Sequence, residues 1–169
     1  FAVSEIDFLG FKLCSNGISP LPEKVLCISQ YPLPHDYAAL RRFLGMIGFY
    51  RRFIPHFADT AEPLYQLMSL CAGKNVKLQW STDQKAAFYL LKESLHESVT
   101  LHHTKPTTET FHLVTDASQF AVCAALHQSE GGDPVPVSFF SKRLSATQRR
   151  YSTFNLNPNP IVSNVSSLS

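Results

Sequence analysis

LRRFLGMIGFYRRFIPHF, residues 40–57, sets apolar side chains at helical spacing between two arginine pairs, Arg41/Arg42 and Arg51/Arg52. Phe43, Ile47, Tyr50 and Ile54 fall on one stripe that can be buried, and the guanidinium groups leave from its flanks. Between Asp36 and Phe57 four arginines stand against the single acid Asp36, a local charge of +3. A planar cation that forks two hydrogen bonds onto one phosphate suits a helix beside a nucleic-acid backbone. An ordinary basic helical face is the rival reading, and the residues by themselves leave the two level.

On the N-terminal side, Ile6, Phe8, Phe11 and Leu13 read as strand around a bend at Gly10. Ser15-Asn16-Gly17 then turns the chain before Ile18, which predicts a β-hairpin. Pro22 opens a short helix reaching about Tyr31, with Glu23 in its first turn, and Pro32 and Pro34 stop it. Asp36 is the expected cap of the arginine helix and Pro55 its expected end or kink. A third helix is expected to begin at Asp59 or Thr60 and to reach Met68.

On the C-terminal side, residues 76–80 read as a short strand, and Ser81 with Gln84 forms a capping box. Ala87, Leu90, Leu91, Ser94 and Leu95 supply the apolar stripe of the helix that follows. From Phe111 the period drops to two, and residues 120–126 and 135–140 add two further strands, giving an antiparallel three-strand meander. Glu130 and Asp133 sit in the polar link between those two and read as solvated. Ser145 and Gln148 make a second capping box, but NLNPNP at 155–160 blocks its helix. From Tyr151 onward there is no Asp, Glu, Lys or Arg, so this segment reads as a polar tail that frays.

With 169 residues, 44% of them apolar and 17% charged, the chain is of globular composition and can bury a core. The net charge of +2 means that any basic surface must come from local clusters, of which Lys142, Arg143, Arg149 and Arg150 form the second. Cys14, Cys27, Cys71 and Cys123 are widely spaced, which favours buried free thiols in a reducing compartment over disulfides or zinc. His96, His102, His103 and His112 lack the i,i+4 spacing of a zinc pair and read as loop histidines. Trp80, which could stack a base, reads instead as a core or staple residue. No stretch has the ~20 apolar residues of a membrane span, and no secretory signal is visible. An intracellular site, cytoplasmic or nuclear, with no membrane partner is therefore expected. A strand already in progress near Phe1 suggests a chain cut from something longer.

Several stretches resemble, in order and spacing, the reverse transcriptase and ribonuclease H part of the Pol polyprotein of gypsy-class long-terminal-repeat retrotransposons. They are FLG at 8–10, GISPLPEKV at 17–25, the arginine segment, LQWSTDQKAAFYLLKESL at 78–95, VTDAS at 114–118, FFSKRLS at 139–145 and QRRYST at 148–153. The resemblance implies an α+β chain: a palm-end β-hairpin at 1–20, a helical thumb at 21–74, a connection and truncated RNase H-like α/β domain at 75–154, and a divergent uncharged tail at 155–169. It implies a thumb that grips the template-primer duplex or an RNA/DNA hybrid through Arg41, Arg42, Arg51 and Arg52. Lys142, Arg143, Arg149 and Arg150 either extend that track or are simply solvated charges, and the residues leave the two level. It also implies the rest of the Pol polyprotein as a partner.

Nucleotidyl transfer needs paired carboxylates that share magnesium with the incoming triphosphate, and this chain has no two adjacent acids. By the resemblance that pair lies upstream of the first hairpin. RNase H cleavage likewise holds two Mg²⁺ about 3.5–4 Å apart on several carboxylates. By its residues alone, Asp116 is either a metal ligand or a cap on the turn Asp-Ala-Ser; the resemblance makes it the first ligand. The second should be a glutamate where Asn157 stands, and the third would lie beyond Ser169. Asp116 is therefore expected to be an orphan, with no stable Mg²⁺ and no catalysis by this chain, while duplex binding is retained. An active metal-dependent ribonuclease H and a non-enzymatic relic or domesticated interaction module are the alternatives.

Overall fold

The structure, a computed structural model, describes residues 4–72, 77–98, 100–104, 110–130, 133–150 and 163–165. The expected hairpin is present as β1 (Glu5–Phe8), β2 (Phe11–Cys14) and β3 (Gly17–Pro20), each antiparallel to the next. The bend between the first two is made at positive φ by Leu9 (48°) and Gly10 (85°). The hairpin does not stand alone. Strand β3 also pairs with β4 (Leu101–His102), Gly17 opposite His102 and Ile18 opposite Leu101, in a four-stranded sheet. A Cβ at Gly17 would lie 2.1 Å from the Leu101 carbonyl oxygen, so only glycine permits this approach.

The helices are α1 (Pro22–Ser29), α2 (Tyr37–Phe49), α3 (Phe57–Cys71) and α4 (Thr82–His96). Asp36 caps α2 as expected, its Oδ1 accepting the Ala39 N–H at 2.8 Å. The arginine segment departs from one continuous helix: α2 ends at Phe49, and Arg51–Phe53 form a 3₁₀ turn. That tightening lets Tyr50 and Phe53 pack their rings against Phe11 while the Tyr50 hydroxyl donates to the Gly10 carbonyl at 3.0 Å. Helix α3 starts earlier than expected, after His56, which sits in the left-handed region at φ 52°. The capping box of α4 forms in full. Leu90, assigned to its apolar stripe, is half exposed, and Phe88 takes the buried place. Residues 77–80 are not a strand: they pair with no neighbouring strand and are tied to the helical module by Leu78 N–H to His35 O at 3.0 Å.

One core holds the helices together. Phe43 and Phe88 meet at 4.5 Å between ring centroids, Trp80 stands edge-on to Phe88, and Leu40, Ile47, Leu64, Leu91, Leu95 and Leu101 fill the rest. Helix α4 and strand β4 complete this core. Among the described residues no helix is long and apolar enough to cross a membrane.

The meander forms the second sheet, with β5 (Phe111–Ala117), β6 (Ala121–Glu130) and β7 (Asp133–Arg143) antiparallel and a bulge between Leu126 and His127. Part of the tail adds to it: β8 (Ser163–Val165) pairs with β5, so the order is β7-β6-β5-β8, four strands where three were expected. The backbone amide of Ala58, at the start of α3, donates to Ser141 Oγ on β7 at 2.6 Å and anchors this sheet to the helices. Ser145 and Gln148 make their reciprocal bonds, but the described chain there is only the 3₁₀ turn Gln148–Arg150.

Phe88→Ala removes the fully buried ring at the centre of the core. The expected loss is about 3–5 kcal/mol, read as a lower denaturant midpoint at unchanged slope.

Candidate nucleic-acid interface and metal centre

The stripe Leu40, Phe43, Leu44 and Ile47 faces the core, which turns Arg41 and Arg42 outward from α2. Arg51 and Arg52 project from the 3₁₀ turn, and all four side chains are exposed. Among the described residues none of them pairs with a carboxylate. The Arg52 guanidinium lies 5.8 Å from the centre of the Phe53 ring.

The second basic cluster is spent differently. Glu62, only 3% exposed, projects from α3 and accepts from Arg143 Nε at 2.5 Å, Arg143 Nη2 at 3.1 Å and Arg149 Nη2 at 3.0 Å. Gln66 adds a fourth donor at 3.2 Å. Burial pushes the Glu62 carboxyl up, but the hydrogen bonds from Arg143, Gln66 and Arg149 and the Arg143 charge outweigh it and hold the group below its ordinary value. Arg143, expected on the duplex track, is thus committed to an internal carboxylate, because a buried acid must be paired. Lys142 and Arg150 stay exposed.

A depressed folded pKa makes the pairing contribute above the ordinary glutamate range, about pH 4.3, and its contribution disappears as pH falls through the folded value. Glu62→Gln is expected to cost about 2–3 kcal/mol near neutrality, at the low side for a broken buried pair because both arginines keep solvent contact. Its thermal midpoint is expected to vary less with pH below about 4.5 than that of the parent chain.

Asp116 lies on β5 with its side chain 63% exposed, and the nearest basic group is His56, Nδ1 to Oδ2 at 3.8 Å. Across the ladder it faces Cys123 on β6. A small cavity of about 40 Å³ opens here, lined by Pro55, His56, Asp116, Cys123 and Phe139 among others. At its edge, His56, Asp59 and Cys123 each bring one possible ligand atom within 4.8 Å of the others. Asp59 Oδ1 accepts from Ser118 Oγ in a very short hydrogen bond, and its Oδ2 accepts from Cys123 Sγ at 3.5 Å. Burial, the largest influence, pushes the Cys123 thiol up to about 11, helped by Asp59 and opposed by Ser141.

The described groups around Asp116 do not fit a pair of magnesium ions. Mg²⁺ is a hard cation that takes oxygen ligands, whereas the donors beside Asp116 are an imidazole and a thiol, with Asp59 the one further carboxylate of the cluster. Asn157, at the position expected for the second ligand, lies outside the described residues.

Other expectations resolve individually. Trp80 is a core residue whose indole donates to the Pro34 carbonyl at 2.8 Å. The loop reading of the histidines fails for three of them, since His96 ends α4, His102 lies in β4 and His112 in β5. His103 Nε2 is 3.2 Å from the Cys14 carbonyl oxygen and His112 Nε2 is 3.1 Å from Ser129 Oγ, partners brought close by strand pairing that sequence order does not show. No metal-ligating group among the described residues includes His96, His102, His103 or His112. The cysteines are free, but only Cys123 is buried, and Cys27 is exposed where α1 turns away from the core. Residue reasoning missed His56, Asp59 and Glu62 altogether. Cys123 was within reach, since the hairpin register places it opposite Asp116.

Residues 80–169 match the family model described as the RNase H-like domain found in reverse transcriptase. The chain belongs to that family. It is 36% identical over 163 residues to the retrovirus-related Pol polyprotein from transposon opus of Drosophila melanogaster, covering 90% of this chain. It is 31% identical over 153 residues to the transposon Tf2-3 polyprotein of Schizosaccharomyces pombe. The chain spans 16% of the opus polyprotein and 11% of the Tf2-3 polyprotein. Among solved structures, the foamy viral protease-reverse transcriptase in complex with RNA/DNA hybrid superposes with a TM-score of 0.73 at 21% identity, over 89% of this chain and 20% of that one. The same viral protein in complex with dsDNA gives 0.71 over 91% of this chain and 31% of that one.

Proposed function

We propose that this chain is the thumb and RNase H-like portion of a retrotransposon Pol polyprotein and that it grips duplex or RNA/DNA hybrid nucleic acid through phosphate contacts. The observation that carries the reading is the contrast between the two basic clusters. Arg143 and Arg149 are taken up by Glu62, while Arg41, Arg42, Arg51 and Arg52 stand exposed with no carboxylate beside them among the described residues. Fixed, charged forks on a rigid helical module suit phosphate oxygens, and phosphate contacts hold a duplex in place without reading its sequence. The relatives are Pol polyproteins, and the foamy viral structures hold RNA/DNA hybrid and dsDNA, which supports the same assignment. Lys142 and Arg150 are the second-cluster cations left to extend the track.

Four phosphate contacts on a duplex predict roughly a 100-fold loss of affinity between 50 and 200 mM salt. Fluorescence anisotropy with a labelled hybrid is the measurement, and replacing the four arginines by glutamine should flatten the salt dependence. An unchanged slope in that variant removes the basis for the grip.

The same reading holds that the chain does not cleave RNA, because the donors gathered near Asp116 among the described residues are an imidazole and a thiol beside the single carboxylate of Asp59. Incubation with a hybrid and Mg²⁺ or Mn²⁺ should leave the RNA strand intact. Hybrid-dependent cleavage that Asp116→Asn abolishes would establish the active ribonuclease H alternative instead.

A further inference from the structure

We propose that His56, Asp59 and Cys123 form a three-ligand site for a transition-metal dication of the zinc class, fastening the start of α3 to strand β6. The three ligand atoms come from separate places in the chain yet lie within 4.8 Å of one another. Bond lengths of about 2.0–2.3 Å in a tetrahedral site put ligand atoms about 3.3–3.7 Å apart, so closure needs a movement of about one ångström. His56 can make that movement, since its side chain is 55% exposed.

The other two ligands are already held. Ser118 Oγ binds Asp59 and is itself fixed by the backbone amides of Phe120 (3.1 Å) and Ala121 (3.0 Å). Cys123 Sγ points at Asp59 Oδ2 and at Ser141 Oγ, 3.9 Å away. Outer partners of this kind orient metal ligands. His56 occupies the left-handed region at φ 52°, which His tolerates better than most side chains, and it lines the pocket. The adjoining cavity of about 40 Å³ gives room for a metal-bound water as the fourth ligand.

Chemistry selects the ion. A thiolate and an imidazole favour zinc or cobalt over magnesium or calcium. On binding, the Cys123 S–H bond breaks, a sulfur–metal bond forms, and the proton leaves to solvent. One thiolate and one carboxylate then neutralise the dication, which suits a half-buried position, and Asp116 adds further negative charge beside His56. Asp116 acquires a role here as a neighbour of the site and not as its ligand.

Cobalt(II) serves as the probe on the full chain, because a cobalt–thiolate bond gives a charge-transfer absorption in the near ultraviolet. The expected result is one equivalent bound, displaced by Zn²⁺ and untouched by excess Mg²⁺, with Zn²⁺ raising the thermal midpoint. Cys123→Ser should abolish the band. His56→Asn keeps a residue type tolerated in the left-handed region and should weaken binding by at least about tenfold. Absence of the band in the parent chain, or full-strength binding by a folded His56→Asn variant, overturns the proposal. The histidine variant decides the matter if the buried cysteine variant fails to fold.

Discussion

Helix α3 is the wall on which everything else leans, because it is buried on two sides with different chemistry. Leu64 and Leu67 enter the helical core, while Ala58 belongs to a small cluster with Ala121 and Cys123 of the sheet. Between those two apolar contacts stands the Glu62 carboxylate, shared by Arg143 and Arg149. A buried charge of this kind adds little stability compared with a well-packed apolar pair, yet it is costly to mispair. Its contribution is therefore geometric: the sheet docks where β7 and the following turn can present two guanidinium groups to one carboxylate. The small residues Ala58 and Ala61 on the same helix are buried alongside it.

Much of this architecture could be read from residue order, for local reasons. Asp36 and Ser81 are caps whose effect ends within one turn, and both form as read. The alternation from Phe111 specifies a strand because one slip would reverse every side chain, and the β5–β6 register follows. Readings that depended on distant partners fared worse. The 3₁₀ turn at Arg51–Phe53 arises from the fit of Tyr50 and Phe53 onto Phe11, which nothing in the arginine segment reveals. Ser163–Val165 pairs with β5 although its composition suggested a loose tail. The burial of Glu62 was hidden for the same reason: its partners lie 81 and 87 positions away.

The site divides along the same line. The four arginines announce themselves through local charge, and the helical packing leaves them outward and without acidic neighbours among the described residues. Asp116 was read through a family pattern that surrounds it with carboxylates. Near it among the described residues stand His56, Cys123 and one carboxylate, Asp59, and the two softer donors change which cations the region can hold. The exposed arginines and the cluster of His56, Asp59 and Cys123 are separate side chains, and a change in one need not alter the other.

The close approach of Gly17 to the Leu101 carbonyl has a consequence for how the chain is made. Strand β3 finds one of its two neighbours more than eighty residues downstream, so during synthesis the first three strands leave the ribosome with that flank bare. Domains generally fold from the N-terminus as the chain emerges, but here the hairpin must wait until α4 and the two residues of β4 have followed it. Until then the flank of β3 that later receives Leu101 and His102 keeps its backbone groups unpaired by strand, an edge open to other strands.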